Sequence, residues 1–315
     1  MKAIIATNYG NSEALTYTEN AKKPTLQENH VLVKIHAASI NPFDIALLSG
    51  VYKAHMPLTF PATPGGDFAG TVIEVGKNVT NLAIGDEVYG TANVLSGGTG
   101  SFAEFATASS GSIAKKPHNI SFIEAAALPL VGTSAVQALE EHMQLAAGQK
   151  ILIHGGAGGI GHIAIQLAKT IGAHIITTVS TNDMPFVTQL GADEIIDYTK
   201  QQFETLVNQV DAVFDTVGGE TTATSFKVLK KGGILVSMKG QPDETLATQY
   251  GITSIGQGTK NNTPHLARLT ELVEAGSIHV HVAETFPLID IKKAWELQQT
   301  RPQGKLVVTI SDTLS

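Results

Sequence analysis

From Ile151 the chain reads Ile151-Leu152-Ile153-His154-Gly155-Gly156-Ala157-Gly158-Gly159-Ile160-Gly161. Gly156, Gly158 and Gly161 have G-x-G-x-x-G spacing, set between an apolar run and a helical pattern. The first glycine permits a tight turn, the second lets the main chain approach a pyrophosphate, and the third lets the helix pack closely on the strand. Gly156, Ala157, Gly158, Gly159 and Ile160 are therefore the expected phosphate cradle. The helix amino terminus adds free N–H groups and partial positive charge. Glycine-rich turns are common on their own. The repeated strand–helix steps that follow this one make it a Rossmann dinucleotide site.

In such a site the end of the second strand reads the adenosine ribose. An acid there accepts from both hydroxyls and repels a 2′-phosphate. Here the segment is Thr177-Thr178-Val179-Ser180-Thr181-Asn182, with Ser180 in the acid's place. Ser180 and Thr181 as hydroxyl donors favour NADPH by a modest margin, since the loop carries no Lys or Arg. Asp183 lies only three residues further, and helix capping is the competing role for the same cluster. His279-Val280-His281 would put two imidazoles on one side of a strand, but no third ligand can be assigned. His154 ends the strand before the glycine turn and is expected to pack rather than to donate protons. No metal is expected.

These residues need a scaffold. Val31, Val33, Ile35 and Ala37 alternate as a strand, followed by strands at 71–75, 87–89 and 102–107, a spacing that suggests a twisted barrel or sandwich. Ser121-Phe122-Ile123-Glu124 has capping-box spacing and opens a helix that Pro129 must interrupt before a second helical stretch at 133–142. Strands at 150–154, 174–179, 194–196, 212–214, 233–237 and 251–255 then alternate with helices at 159–171, 183–190, 202–209 and 221–229. This rhythm means a parallel sheet covered by helices on both faces. The tail, with strands at 280–286 and 305–310 and helices from 265 and at 290–299, leaves the rhythm and is assigned back to the first domain.

The 315 residues suggest two domains, with 43% hydrophobic and 16% charged residues leaving no case for disorder. A net charge of −7 and the lack of a basic patch argue against nucleic acid as a partner. The absence of cysteine excludes disulfides, thiolate zinc sites, iron–sulfur clusters and a cysteine nucleophile. No apolar run is long enough for a membrane span, and the first residues lack the pattern of a signal peptide. A cytoplasmic protein is expected.

The glycine turn, Gly85-Asp86-Glu87-Val88, Ala125-Ala126-Ala127-Leu128-Pro129 and Asp215-Thr216-Val217-Gly218-Gly219 together resemble the medium-chain dehydrogenase/reductases. Within them the similarity is to the zinc-independent quinone oxidoreductase, or zeta-crystallin-like, branch, over essentially the whole chain. The resemblance implies an α/β protein: a GroES-like, β-rich catalytic domain at 1–120 completed by 266–315, and a doubly wound Rossmann domain at 121–265. It implies hydride transfer from NADPH to a quinone or similar conjugated carbonyl. The alternatives are an enone, 2-alkenal or enoyl-thioester reductase, and a zeta-crystallin-like binding protein.

The resemblance also implies roles for single residues. Asn41 lies beside the nicotinamide or its ribose, Thr133 contacts the same region, and Tyr52 belongs to the substrate cleft. Tyr198 stands near the adenosine 2′-phosphate. Val217, Ser237 and Met238 border the cofactor, the last two offering backbone to its carboxamide. Asp44 is an acid or, more in keeping with its position, a structural anchor. The zinc enzymes of the superfamily carry a ligand cysteine and a Gly-His-Glu segment. This chain has Asn41-Pro42-Phe43-Asp44 and Gly65-Gly66-Asp67 instead. A homodimer joined through the sixth Rossmann strand is implied as well.

Overall fold

Alternating apolar residues build the amino-terminal strands, which the computed structural model describes together with the rest of residues 1–310. Strands β1 (Ala3–Ala6) and β2 (Leu15–Thr18) form an antiparallel pair. The long strand β3 (His30–Ile40) continues past the expected Ala37 and leads into α1 (Pro42–Leu48). Then come β4 (Asp67–Val75), β5 (Glu87–Thr91), β6 (Phe105–Ser109) and β7 (Ile113–Lys115). The strand expected from Phe102 starts only at Phe105. The Phe102 N–H is taken by the Pro64 carbonyl, and Ala103 forms an isolated bridge to Ala3.

Helix α2 (Phe122–Ala126) opens on the Ser121–Glu124 capping box, with each partner satisfying the other's backbone N–H. Pro129 interrupts the helical run by starting the next helix, α3 (Pro129–Val136), four residues before the expected Thr133, where its missing N–H costs nothing. A π-helical stretch, Gln137–His142, follows.

Six parallel strands come next: β8 (Lys150–His154), β9 (His174–Val179), β10 (Glu194–Asp197), β11 (Val210–Asp215), β12 (Leu229–Ser237) and β13 (Thr253–Gly256). Their order is β10-β9-β8-β11-β12-β13, so the strand order reverses between β8 and β11, the crevice where doubly wound sheets bind ligands. Helices α4 (Gly159–Ile171), α5 (Met184–Leu190), α6 (Glu220–Ser225) and α7 (Glu244–Tyr250) connect them.

Two expected helices shrink. At 202–209 only a 3₁₀ turn, Phe203–Thr205, forms. The Thr205 hydroxyl bonds the Gln202 carbonyl, and Gln209 turns to φ +52° to enter β11. The helix expected to reach Leu229 stops at Ser225, because Val228 and Leu229 are drawn into the sheet beside Val210.

The last elements are α8 (Thr263–Glu274), β14 (Val282–Pro287), α9 (Ile291–Gln299) and β15 (Lys305–Thr309). Strand β15 pairs antiparallel with β3, with Leu306 opposite Ile40, in a seven-stranded sheet of order β14-β15-β3-β4-β5-β7, with β6 also paired to β3 off that path. His279 and His281 precede β14 in irregular chain and do not share a strand face, which removes the geometry their spacing suggested.

Contacts divide the described chain into two compact units. One comprises residues 1–130, 261–274 and from 280 onward; the other comprises 131–260 and 275–279. The first unit's core packs Trp295, Phe68 and Phe102 around β3, and burial of each such side chain stabilises by roughly 1.5–3 kcal/mol. The second centres on Leu152, Val213, Phe226 and Leu235. Among the described residues no helix is long and apolar enough to cross a membrane.

Candidate functional site

The glycine turn in the second unit joins β8 to α4, and its three glycines are held for different reasons. A Cβ on Gly156 would collide with Thr177 Oγ1, and one on Gly161 would collide with the Gly155 carbonyl. These two positions are closed by the protein's own packing. At Gly158 the nearest atom would be 3.4 Å away, an ordinary contact, so the protein itself leaves room there. Gly158 is also the N-cap of α4 and no side chain caps the helix, so the first-turn N–H groups keep their capacity for an anion. Ala157 is buried, and Gly159 and Ile160 are half-buried.

The turn rests on a hydroxyl-lined histidine. His154 is fully enclosed, with Nε2 3.1 Å from Ser225 Oγ and Nδ1 3.0 Å from Thr178 Oγ1. Ser225 donates its own hydrogen to the Thr221 carbonyl, so it accepts from His154 Nε2–H, and Thr178 donates to Nδ1. Burial pushes the imidazole pKa down to about 4 against the opposing pull of Asp215, which leaves the ring neutral. His154 is thus a packing and positioning residue. The Thr178 carbonyl accepts from Gly155 and Gly156 N–H, so the same strand end anchors the turn.

Asp215 ends β11 and shapes the next loop. Its Oδ1 accepts the N–H groups of Val217 (2.8 Å) and Gly218 (3.0 Å), and its Oδ2 accepts from Thr222 and, at 3.4 Å, from Ser237. Val217 is thereby held outward and about half exposed. Ser237 is buried, and its carbonyl accepts the Gln257 N–H; the Met238 N–H is taken by the Asp215 carbonyl. These two backbone groups therefore already have partners within the sheet. Thr133, on α3, is buried too.

At the adenosine end the expected donors have prior commitments. Ser180 Oγ donates to Asp183 Oδ2 at 2.6 Å, and Thr181 Oγ1 donates to Asp197 Oδ2. The loop thus folds its own carboxylate back onto Ser180. Asp197 also accepts from Thr199 N–H and Oγ1, and Lys200 Nζ lies 3.1 Å from its Oδ2. The hydroxyl bonds from Thr181 and Thr199 hold this carboxyl well below the usual range. Tyr198 is exposed beside them.

The first unit carries a separate buried cluster. Asn41, at the start of α1, is 2% exposed; its Nδ2 donates to Asp67 Oδ2 at 2.8 Å and its Oδ1 accepts from Lys305 Nζ. Lys305 also donates to the Ile40 carbonyl at 3.0 Å, and Asp44 Oδ2 accepts the Asn41 backbone N–H at 2.8 Å. Asp67 Oδ2 further accepts the Leu130 N–H at 3.1 Å. Burial, reinforced by the charge of Asp67, pushes the Asp44 carboxyl up to about 7. Burial likewise raises Asp67 and lowers Lys305.

Asn41 is thus turned inward, with one Nδ2 hydrogen beyond these bonds. Asp44 lines a small, mostly apolar recess with Leu47, Leu58, Pro64 and Asn93. Tyr52 follows α1 in an exposed turn, its ring 5.8 Å from that of Phe43.

Sequence reasoning missed Lys305, Asp197 and Lys200. Lys305 opens an apolar strand, and its burial follows only from the β15–β3 pairing. The run Asp197-Tyr198-Thr199-Lys200 was a possible signal, since it ends the third Rossmann strand and must lie beside the second.

A zinc ion does not fit the residues at the superfamily's ligand positions. Asn41 is bonded to an ammonium, position 66 is glycine, and the chain has no cysteine. Among the described residues no three His, Cys, Asp or Glu side chains group to hold a metal.

Residues 27–118 match the alcohol dehydrogenase GroES-like domain, and residues 190–308 match the zinc-binding dehydrogenase family model. The chain is 41% identical to 2-methylene-furan-3-one reductase of Solanum lycopersicum, covering 98% of this chain and 79% of that one. It is 36% identical to the chloroplastic NADPH-dependent alkenal/one oxidoreductase of Arabidopsis thaliana, with the same coverage. Escherichia coli quinone oxidoreductase, solved in complex with NADPH, superposes with a TM-score of 0.88 at 26% identity, covering 98% of this chain and 100% of that one.

Proposed function

This chain belongs to the quinone oxidoreductase branch of the medium-chain dehydrogenase/reductase superfamily, and from that premise we propose that it reduces conjugated carbonyl compounds with NADPH, without zinc. The carrying observation is the glycine turn. Gly156 and Gly161 are closed by packing while Gly158 and the uncapped α4 terminus stay open. That is the arrangement a pyrophosphate needs. The bound cofactor supplies a hydride. The chain's own work is to hold it: the α4 N–H groups bind phosphate, and Asp215 keeps Val217 and Gly218 in place. The Asn41 cluster fixes the start of α1. Orientation of this kind removes entropy from the barrier, and a quinone or enone accepts hydride without a Lewis acid.

The relatives' names weigh toward a carbon–carbon double bond conjugated to a carbonyl; quinones belong to the same acceptor chemistry. Their catalytic names set the binding-protein alternative aside. An assay of NADPH oxidation over quinones, 2-alkenals and enones in excess chelator tests the proposal. Turnover with at least one class, unaffected by chelator, is expected; no turnover with any would refute it. We extend the reading to a cytoplasmic homodimer. Strand β13 lies at the edge of its sheet, partly exposed, and such edges are commonly paired across a two-fold axis. A monomer in light scattering at micromolar concentration would count against it.

A further inference from the structure

The adenosine end of the site poses a charge problem. A 2′-phosphate carries nearly two negative charges at neutral pH. Yet the two strand ends that must receive it, Ser180–Thr181 after β9 and Tyr198–Lys200 after β10, bring two carboxylates with them. The Ser180 hydrogen points to Asp183 and the Thr181 hydrogen points to Asp197, so neither hydroxyl offers a free donor. Neutral donors in prior use cannot offset two acids. A cation is required, and Lys200 is placed to supply it.

Its Nζ lies 3.1 Å from Asp197 Oδ2, the same oxygen that Thr181 reaches, so the ammonium already stands at the end of the second strand. Asp197 does not depend on it: Thr181 and Thr199 together give that carboxylate three other hydrogen bonds. The lysine side chain is 64% exposed, which leaves it free to swing from Asp197 to an incoming phosphate. Lysine suits such a move, being a point charge on a flexible stem.

We propose that Lys200 is the specificity-determining cation of the adenosine site, leaving Asp197 to pair with the 2′-phosphate of the dinucleotide. This rests on the NADPH reading above and adds the residue that makes the choice. Thr181 and Thr199 act in it as substitutes: they keep the Asp197 carboxylate satisfied when Lys200 departs. Tyr198, exposed between them, flanks the same phosphate position.

The test is isothermal titration of the full chain, wild type and Lys200→Met, with adenosine 2′,5′-bisphosphate and with adenosine 5′-monophosphate as probes. The exposed position lets the variant fold. Loss of a charge-assisted contact is expected to weaken the bisphosphate about tenfold or more and leave the monophosphate unchanged. The ratio of the NADPH and NADH KM values should move by the same factor. If the wild type prefers the bisphosphate and Lys200→Met keeps that preference, the assignment of Lys200 fails while the NADPH reading stands. If the wild type shows no preference for the bisphosphate, both fail together.

Discussion

In the first unit Asp44, Asp67 and Lys305 are buried as ionisable groups around one asparagine, whereas in the second His154 is buried as a neutral ring between two hydroxyls. The first includes Asn41 and the second adjoins the glycine turn, both expected to face the cofactor. The first keeps charge inside the protein and depends on pairing, so it is intolerant of losing a partner. The second gives up its charge on folding and depends on no partner charge, only on pH. Burial is met in the first case by a counter-charge together with the raised pKa of Asp44, and in the second by a shifted proton equilibrium alone, and the two fail in different ways.

The largest expected effect of breaking this contrast is at Lys305. Replacing it by methionine leaves Asp67 and Asp44 without their cation, a change that costs about 3–5 kcal/mol when a buried pair is broken. Urea denaturation should show that loss. A shift under 1 kcal/mol would mean that Lys305 is not paired in solution.

Next comes pH. The folded His154 pKa is depressed to about 4, below its ordinary 6.5. The unfolded chain therefore binds a proton first as pH falls, and stability present above about 6.5 is lost toward 4, on the order of 3 kcal/mol. Asp44 has the opposite sign. Its pKa is raised from 3.8 to about 7, so the folded chain keeps a proton that the unfolded chain releases, and its contribution is lost as pH rises through that window. The two limbs should separate in denaturation series, with His154→Gln flattening the acid limb and Asp44→Asn the neutral one. Unchanged profiles in both variants would contradict the assignment.

Smaller effects divide the glycine turn. Gly161→Ala should destabilise by about 1–3 kcal/mol through overpacking against the Gly155 carbonyl. Gly158 holds an ordinary extended conformation, φ −76° and ψ 176°, where a Cβ would come no closer than 3.4 Å to another atom, and Gly158→Val is the contrasting variant. It should leave the melting temperature nearly unchanged while weakening NADPH binding. Equal losses of stability in the two variants would show that Gly158 too is a packing residue.

Much of this was open to reading in the chain itself. Periodicity and turn glycines located β8, α4 and β9 to the residue, because a buried strand and the helix behind it carry a strong local apolar pattern. The segment 202–209 was misread because its apolar residues suit a helix while Thr205 and Gln209 make local bonds and turns that stop one. The bond from Ser180 to Asp183 was not legible, because it depends on a loop conformation and not on residue type.

The spacing of Gly156, Gly158 and Gly161 determined a dinucleotide turn by itself, since its constraint is steric and lies within six residues. The absence of cysteine and the glycine at position 66 likewise determined what the metal-ligand positions cannot do. Tertiary structure alone decided that Lys305, 264 residues from Asn41, donates to its amide, and that Lys200 stands at the end of the second strand. Pairing between distant strands sets those meetings, and it leaves no trace in the spacing along the chain.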